Sequence, residues 1–280
     1  MTRRTDGARV IAVDGDTILL QDGARGPELA DLVPPPPAEG QVRGTDAQGR
    51  PYLAVPCADV LPGTRRARLI DVLDELPPAQ ARLALRAVGF HQWVRASAYC
   101  PRCGTPAGLS TDGRSRWCAS CATEHHPRTD PAVMMSVTDD RDRLLLARRA
   151  VAPPGRMSPP AGFVEPGETA EEAAARELLE EVGVRTTDAT YVASQPWPFP
   201  GSLMLAFALR ATSPRITVDG EEIVAARWFT REELATAIRE GTLIPPPPGS
   251  LAVKLVKRWY GPGYDALAGR TAERGPVPGA

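Results

Sequence analysis

Apolar residues fall in short runs along most of the chain, separated by turns rich in glycine and proline. Residues 10–13 and 17–20 are two such runs around Asp14-Gly15-Asp16, and they predict a hairpin. Residues 52–55 predict a further strand. Between Ala79 and Val94 the spacing changes, and Ala81, Leu83, Leu85, Ala87, Val88, Phe90, Trp93 and Val94 suit an amphipathic helix better than a strand. The run Pro34 to Pro37 can continue neither a helix nor a central strand, because proline lacks the amide donor, so it marks a loop. The first unit is therefore expected to be α+β and to end near Ser97.

A cysteine-rich segment follows. Beyond it, strands are expected at 132–137, 143–147, 191–194, 203–209 and 226–229, and helices at 168–182 and 231–240. The expected divisions are an N-terminal α+β domain over 1–97, a cysteine segment over 98–127, a mixed α/β domain over 128–262 and a flexible tail over 263–280, where large apolar groups become scarce.

Length and composition agree with this division. A chain of 280 residues exceeds one typical domain of about 100 to 200 residues, and 42% hydrophobic with 24% charged residues is ordinary for a folded protein. No apolar run approaches the ~18 residues of a membrane helix, and the first apolar stretch is too short and too close to Asp14 for a secretory leader. The expectation is a cytoplasmic protein with no membrane partner. A net charge of -1 supplies no global field for a nucleic-acid backbone. All the basic residues except Lys254 and Lys257 are arginine, a bias to which no mechanistic role is given.

Four of the five cysteines form two Cys-x-x-Cys pairs, Cys100 with Cys103 and Cys118 with Cys121, separated by 14 residues. Two residues between thiolates let one tight turn point both sulfurs at one ion, and four protein ligands leave no open position, so the spacing predicts one structural Zn²⁺ per chain. Gly104 can supply the positive φ that such a turn needs. Two disulfides are the alternative, disfavoured in a reducing compartment. His125 or His126 could replace a cysteine ligand. Cys57 stands alone and reads as a small buried hydrophobe.

The densest chemistry lies between Gly162 and Val184. Thr169 and Glu172 form a capping-box pair, and Gly183 is placed to end the helix in a left-handed cap. Glu177, Glu180 and Glu181 fall on one helix face, and Ala174, Leu178 and Val182 on another. Three carboxylates within a turn repel each other, which hard divalent cations relieve; oxygen donors favour Mg²⁺ or Mn²⁺. An ordinary solvated acidic face is the competing reading.

The complete pattern decides between them. Gly162, five residues, Glu168, seven residues, Arg176-Glu177-Leu178, one residue, Glu180-Glu181, one residue and Gly183-Val184 together resemble the Nudix box at every defined position. That resemblance implies a Nudix α/β/α sandwich with a mixed sheet and hydrolysis of a nucleoside diphosphate linked to another group. It implies Glu177 and Glu181 as metal ligands, Glu180 as a further ligand or base, the Ala161 carbonyl as a ligand, and Arg176 as an orienting ion-pair partner.

Downstream, Ser194, Gln195, Pro196, Trp197, Pro198, Phe199, Pro200, Gly201 and Ser202 make a stiff loop carrying two flat apolar rings. Alone, such a loop is more often core packing. Together with the box and the preceding cysteines it is similar to the signature of the NADH pyrophosphatases, the NudC-like branch of the Nudix superfamily. The likeness covers about residues 98–260. It implies substrate contacts from Phe163, from Gln195 through Ser202 and from Ala252 at the end of a proline-rich loop, with Glu222 as a further metal ligand. It implies cleavage of NADH, and less efficiently NAD⁺, to a nicotinamide mononucleotide and AMP. NAD-capped RNA is an expected further substrate, and the zinc ribbon is expected to brace a homodimer. Departures from the family pattern are His126 before Pro127 and the pair Pro159-Pro160 before Ala161. The rivals are a hydrolase of ADP-ribose and a zinc-ribbon nucleic-acid-binding protein with a vestigial Nudix domain.

Overall fold

The structure, a computed structural model, describes residues 8–24, 26–32, 41–46, 48–56, 62–187 and 189–267. The expected loop at Pro34 to Pro37 and Cys57 lie outside the described residues. The chain forms two compact units, Met1–Thr129 with Pro196–Ser202, and Asp130–Gln195 with Leu203–Ala280.

In the first unit β1 (Arg9–Asp14) and β2 (Thr17–Gly23) make the expected hairpin, with Asp14 opposite Thr17 and Gly15 at φ 61° in the turn. They are followed by β3 (Gly26–Leu29), β4 (Val42–Thr45), β5 (Pro51–Pro56), β6 (Arg65–Arg68), the short α1 (Leu69–Val72) and α2 (Pro78–Ala96). The sheet runs β3-β2-β1-β5-β4, with β6 also on β2. It is mixed, because β1 and β5 are parallel while the other registered pairs are antiparallel. Ile11 and Val13 join α2 residues Ala84, Ala87 and Val88 in one core, whereas Val10 and Ala12 belong to a cluster with Leu19, Leu53 and Val55. That alternation is the period-2 geometry of a strand buried on both faces.

The cysteine segment belongs to this unit and carries the small sheet β7 (Gly108–Leu109), β8 (Arg116–Cys118) and β9 (Thr123–His125). Buried Arg116 fastens it to the end of α2. Its guanidinium donates to the carbonyls of Val94 at 2.9 Å and Ala107 at 2.7 Å, and to Ser97 Oγ at 3.1 Å. A cation on the last carbonyls of a helix is favoured by the helix dipole.

The second unit contains β10 (Asp130–Thr138), β11 (Leu144–Arg149), β12 (Ala161–Phe163), α3 (Ala170–Val182), β13 (Thr190–Trp197), β14 (Ser202–Arg210), β15 (Ile223–Phe229), α4 (Arg231–Glu240) and α5 (Leu251–Tyr260). Its sheet runs β13-β14-β10-β11-β15, with β12 also on β10. Leu145 and Ala147 face a core shared with Ala173, Ala174, Leu178 and Val182 of α3. Leu144 and Leu146 face the opposite core, with Leu234 and Ile238 of α4 and Val256 of α5. The unbroken apolar run on β11 thus serves two helical layers, giving an α/β/α sandwich.

α3 begins at Ala170 rather than at Glu168. The Glu168 carboxylate accepts from Glu165 N at 2.9 Å and holds the preceding turn, where Gly167 has φ 98°. Both halves of the capping box form at Thr169 and Glu172, and Gly183 closes the helix at φ 67°. Pro159 and Pro160 are buried without disturbing the strand that follows, because the Pro160 carbonyl accepts from Met135 N at 2.9 Å. The expected tail starts too early: Tyr264 is 2% exposed and packs with Leu267 in the α4–α5 core, and residues 268–280 are outside those described. A tyrosine and a leucine spaced by three residues suffice for one packed helical turn. Among the described residues no helix is long and apolar enough to cross a membrane.

Burial separates neighbours on α3: Leu178 is 0% exposed and Leu179 is 41% exposed. Leu178→Ala is expected to cost about 2 to 5 kcal/mol in urea unfolding, and Leu179→Ala less than about 1 kcal/mol. Equal losses would contradict the assigned face of the helix.

Candidate active site

Two clusters of possible metal donors stand out. In the first unit the sulfurs of Cys100, Cys103, Cys118 and Cys121 all lie within 4.8 Å of one another. Cys100 Sγ is 3.6 Å from Cys121 Sγ, and Cys103 Sγ is 3.5 Å from Cys118 Sγ. A tetrahedral zinc with bonds of about 2.3 Å sets its sulfurs roughly 3.8 Å apart, so the donors fit that ion in type and spacing. Thr105 Oγ1 lies 3.1 Å from Cys103 Sγ and 3.2 Å from Cys118 Sγ. Its hydrogen bond pulls the Cys118 thiol down to about 6 and lowers Cys103 as well, favouring the thiolate that a metal requires. His125 is not a fifth member of the group. Its Nε2 sits 3.1 Å from Cys100 Sγ, as a hydrogen-bond partner to a ligand. His126 points elsewhere, to Glu124 at 3.8 Å.

The carboxylate cluster is in the second unit, where α3 lies against β12 and β10. Strand β12 pairs with β10 through Ala161 opposite Met134 and Gly162 opposite Val133. A Cβ at Gly162 would lie 2.0 Å from Glu177 Cδ, so a side chain there would push that carboxylate out of its place. The Glu177 carboxylate therefore lies directly over bare backbone. Arg176 holds it in place, donating to Glu177 Oε1 at 3.0 Å, Glu180 Oε2 at 3.0 Å, both Glu168 oxygens at 2.6 and 2.9 Å, and the Phe163 carbonyl at 2.9 Å. This fork is the geometry by which arginine organises carboxylates. Glu168 is held below the usual carboxylate range by Arg176.

The three box glutamates do not share one environment. Glu180 is 62% exposed, Glu177 is mostly covered, and Glu181 is only 3% exposed, on the side of the helix that carries Leu178 and Val182. Burial pushes the Glu181 carboxyl up to about 8, and the charges of Glu177 and Glu222 add to the shift. Burial also raises Glu177. Glu181 Oε2 has no hydrogen-bond partner. A buried carboxylate with an unpartnered oxygen is costly unless a cation or proton compensates it, so the donor set fits a hard divalent metal. Glu222 turns instead to Arg149, at 2.8 Å, an ion pair that no local sequence pattern signals.

The aromatic loop divides between exposure and packing. Pro198 is buried, Phe199 packs against the first-unit core, and Trp197 stays half-buried with its ring edge-on to Phe199 at 5.2 Å. Both rings are partly covered, and Phe199 has hydrophobic neighbours in the first-unit core. Gln195 is buried and donates from Nε2 to the Gly249 carbonyl at 2.6 Å, while its Oε1 has no partner. Ser202 is buried; Pro196 and Pro200 are exposed, and Gly201 is intermediate. Ala252 is buried in the first turn of α5. Phe163 projects with 59% exposure.

Comparison with known proteins finds a match for each of the two segments that carry these clusters. Residues 95–125 match the NADH pyrophosphatase zinc ribbon domain, and residues 128–245 match the NUDIX domain. The chain is 38% identical over 197 residues to the NAD-capped RNA hydrolase NUDT12 of Homo sapiens, covering 66% of this chain and 43% of that protein. It is 42% identical over 177 residues to the NAD-capped RNA hydrolase NudC of Stutzerimonas stutzeri, covering 63% of each. These matches span less than two thirds of either relative. A further NAD-capped RNA hydrolase NudC, from Klebsiella pneumoniae subsp. pneumoniae, is 36% identical over 189 residues, 68% of this chain and 70% of that protein. With the box, the ribbon and these relatives in agreement, the chain belongs to the NADH pyrophosphatase, NudC-like branch of the Nudix hydrolase superfamily.

Proposed function

We propose that the protein is a divalent-metal-dependent pyrophosphohydrolase that splits NADH, and less efficiently NAD⁺, into a nicotinamide mononucleotide and AMP. RNA carrying a 5′ NAD cap is a further substrate, because its diphosphate linkage is the same, and the names of the relatives support that reading. The observation that carries the proposal is Glu181, a buried carboxylate with an unpartnered oxygen beside Glu177 and Glu222. Stability alone gives no reason to keep it.

Glu177, Glu181, Glu222 and the Ala161 carbonyl would hold Mg²⁺ or Mn²⁺, with Glu180 as a further ligand or base. Bound there, the metal would supply positive charge against the diphosphate and acidify water. Arg176 keeps Glu177 and Glu180 oriented before substrate arrives, so less reorganisation is needed during reaction. A water attacks one phosphorus, the bond to the bridging oxygen breaks, and the second mononucleotide leaves as its phosphate. Phe163 and Trp197 offer ring faces to the flat ends of the dinucleotide. Gln195, Pro196, Pro198, Phe199, Pro200, Gly201 and Ser202, with Ala252, shape the surrounding site. The four cysteines hold a structural zinc that stiffens the ribbon, which braces a homodimer in the cytoplasm.

Side-by-side chromatography of NADH, NAD⁺, ADP-ribose and NAD-capped RNA tests the substrate assignment. NADH should give equal amounts of the two mononucleotides. Preference for ADP-ribose, or binding of ordinary RNA with no hydrolysis, would overturn it.

Three outcomes follow for the site. Glu181→Gln should lower NADH turnover by about 10³-fold or more at saturating Mg²⁺, while Glu171→Gln stays near the parent. Elemental analysis should find one zinc per chain, and Cys103→Ser should lose it along with thermal stability. The third outcome concerns pH in protein that retains zinc but has no added Mg²⁺. The raised Glu181 pKa, about 8 when folded, means that the fold favours the neutral carboxyl. Its contribution is fully present below the unfolded pKa of about 4.3 and is lost progressively as pH rises through 8, by up to about 5 kcal/mol, roughly half of it between pH 6 and pH 8.5. Urea unfolding at pH 6 and pH 8.5 should show that loss in the parent and a flatter profile in Glu181→Gln.

A further inference from the structure

Helix α5 packs its first turns on one face of the second unit's sheet. Leu251 and Leu255 cluster there with Ala206 of β14, and Met134 of β10 and Met204 of β14 pack against them. Arg258 lies three residues beyond Leu255 and seven beyond Leu251, so the helix stripe that carries those leucines ends in a cation. The sheet changes character at the same level. On this face β10 continues from Met134 to Ser136 and Thr138, and β14 continues from Ala206 to Ala208 and Arg210. These side chains leave a cavity of about 410 Å³ beside the helix, with Thr187 and Thr190 also on its wall. Val133, Met135 and Val137 of β10 turn to the α3 face instead, and β12 pairs with the other end of β10, at Ala132 to Met134. The cavity is therefore separate from the carboxylate cluster.

Two guanidiniums and four hydroxyls border it, and no carboxylate is among the lining residues. Ser136 is 7% exposed, so its hydroxyl belongs to the cavity floor rather than to the open surface. Arg210 directs one N–H to the Asp139 carbonyl at 3.4 Å, and among the described residues Arg258 makes no hydrogen bond or ion pair. Arginine stays protonated in proteins, so the two cations repel each other unless an anion lies between them. A phosphate group suits these donors: guanidinium forks match its oxygens in pairs, and hydroxyls can donate to the oxygens left over. The volume falls within the range of small-molecule sites, about 300 to 1,000 Å³, which leaves room for more than a bare ion.

We propose that this cavity is a second anion site, built for the phosphate group of inorganic phosphate or of a mononucleotide, with Arg210 and Arg258 as the residues that grip it. It takes no residue from the box glutamates or from the aromatic loop, so it stands whether or not the protein cleaves NADH.

Equilibrium dialysis of the full-length, zinc-loaded protein tests the site, with radiolabelled inorganic phosphate in one arm and radiolabelled AMP in the other, at fixed ionic strength and without added Mg²⁺. The parent should bind one phosphate group per chain saturably. Arg258→Gln and Arg210→Gln should each weaken binding about tenfold or more, because each removes a charge-assisted hydrogen-bonding partner. Arg239→Gln, which removes an exposed arginine at the end of α4, should match the parent. Zinc content and melting temperature check folding, and if one cavity variant fails that check the other decides. AMP held about tenfold tighter than phosphate assigns the site to a mononucleotide, and similar affinities assign it to the phosphate group alone; both results uphold it. Absence of saturable binding, or a loss in the cavity variants no larger than in Arg239→Gln, overturns it.

Discussion

Carboxylates crowded into one helical turn must be compensated, and in α3 that requirement explains more of the local structure than any other. Arg176 compensates Glu168, Glu177 and Glu180 directly. Glu181 is beyond its reach and is left to burial, which favours its neutral form. Gly162 lets the Glu177 carboxylate settle over the strand backbone, and the capped ends at Thr169 and Gly183 fix the helix register on which these distances depend. A helix that slipped by one residue would point the glutamates away from β12 and bury a different set of side chains.

The two donor clusters show different solutions to the same electrostatic difficulty. Four cysteine sulfurs gather within a few ångströms, each with a hydroxyl, an imidazole, a backbone amide or another sulfur beside it, and soft ligands suit zinc. The oxygen cluster is looser: Glu180 turns to Arg176 and Glu222 to Arg149. Those ion pairs hold the outer carboxylates apart. A closed sulfur site favours rigidity, and an open oxygen site favours exchange with substrate.

Both units bury their sheets on two faces, and this determines how the sequence looks. Leu144 to Ala147 is apolar without a break because α3 lies on one side and α4 with α5 on the other. Such a strand gives no polar alternation, but it supplies a stiff floor for α3. The position of Glu177 and Glu181 follows from that floor, since Ala174, Leu178 and Val182 are packed against it.

By itself the sequence determined every feature whose cause is local. The hairpin at Asp14-Gly15-Asp16, the long helix at Ala81 to Val94, the two caps of α3 at Thr169 and Gly183, the cysteine spacing and the Nudix box all depend on residues close together in the chain. The tertiary structure alone decided which neighbours have unlike surroundings. Glu180 and Glu181 are adjacent and equally acidic, yet one is solvated and the other buried, because the packing partners of Glu181 come from strands far along the chain. The parallel pairing of β1 with β5, the ion pair of Arg149 with Glu222 and the packing of Phe199 against the first-unit core have the same character. Each joins residues tens to more than a hundred positions apart, where periodicity and spacing carry no information and only the packed fold brings the partners together.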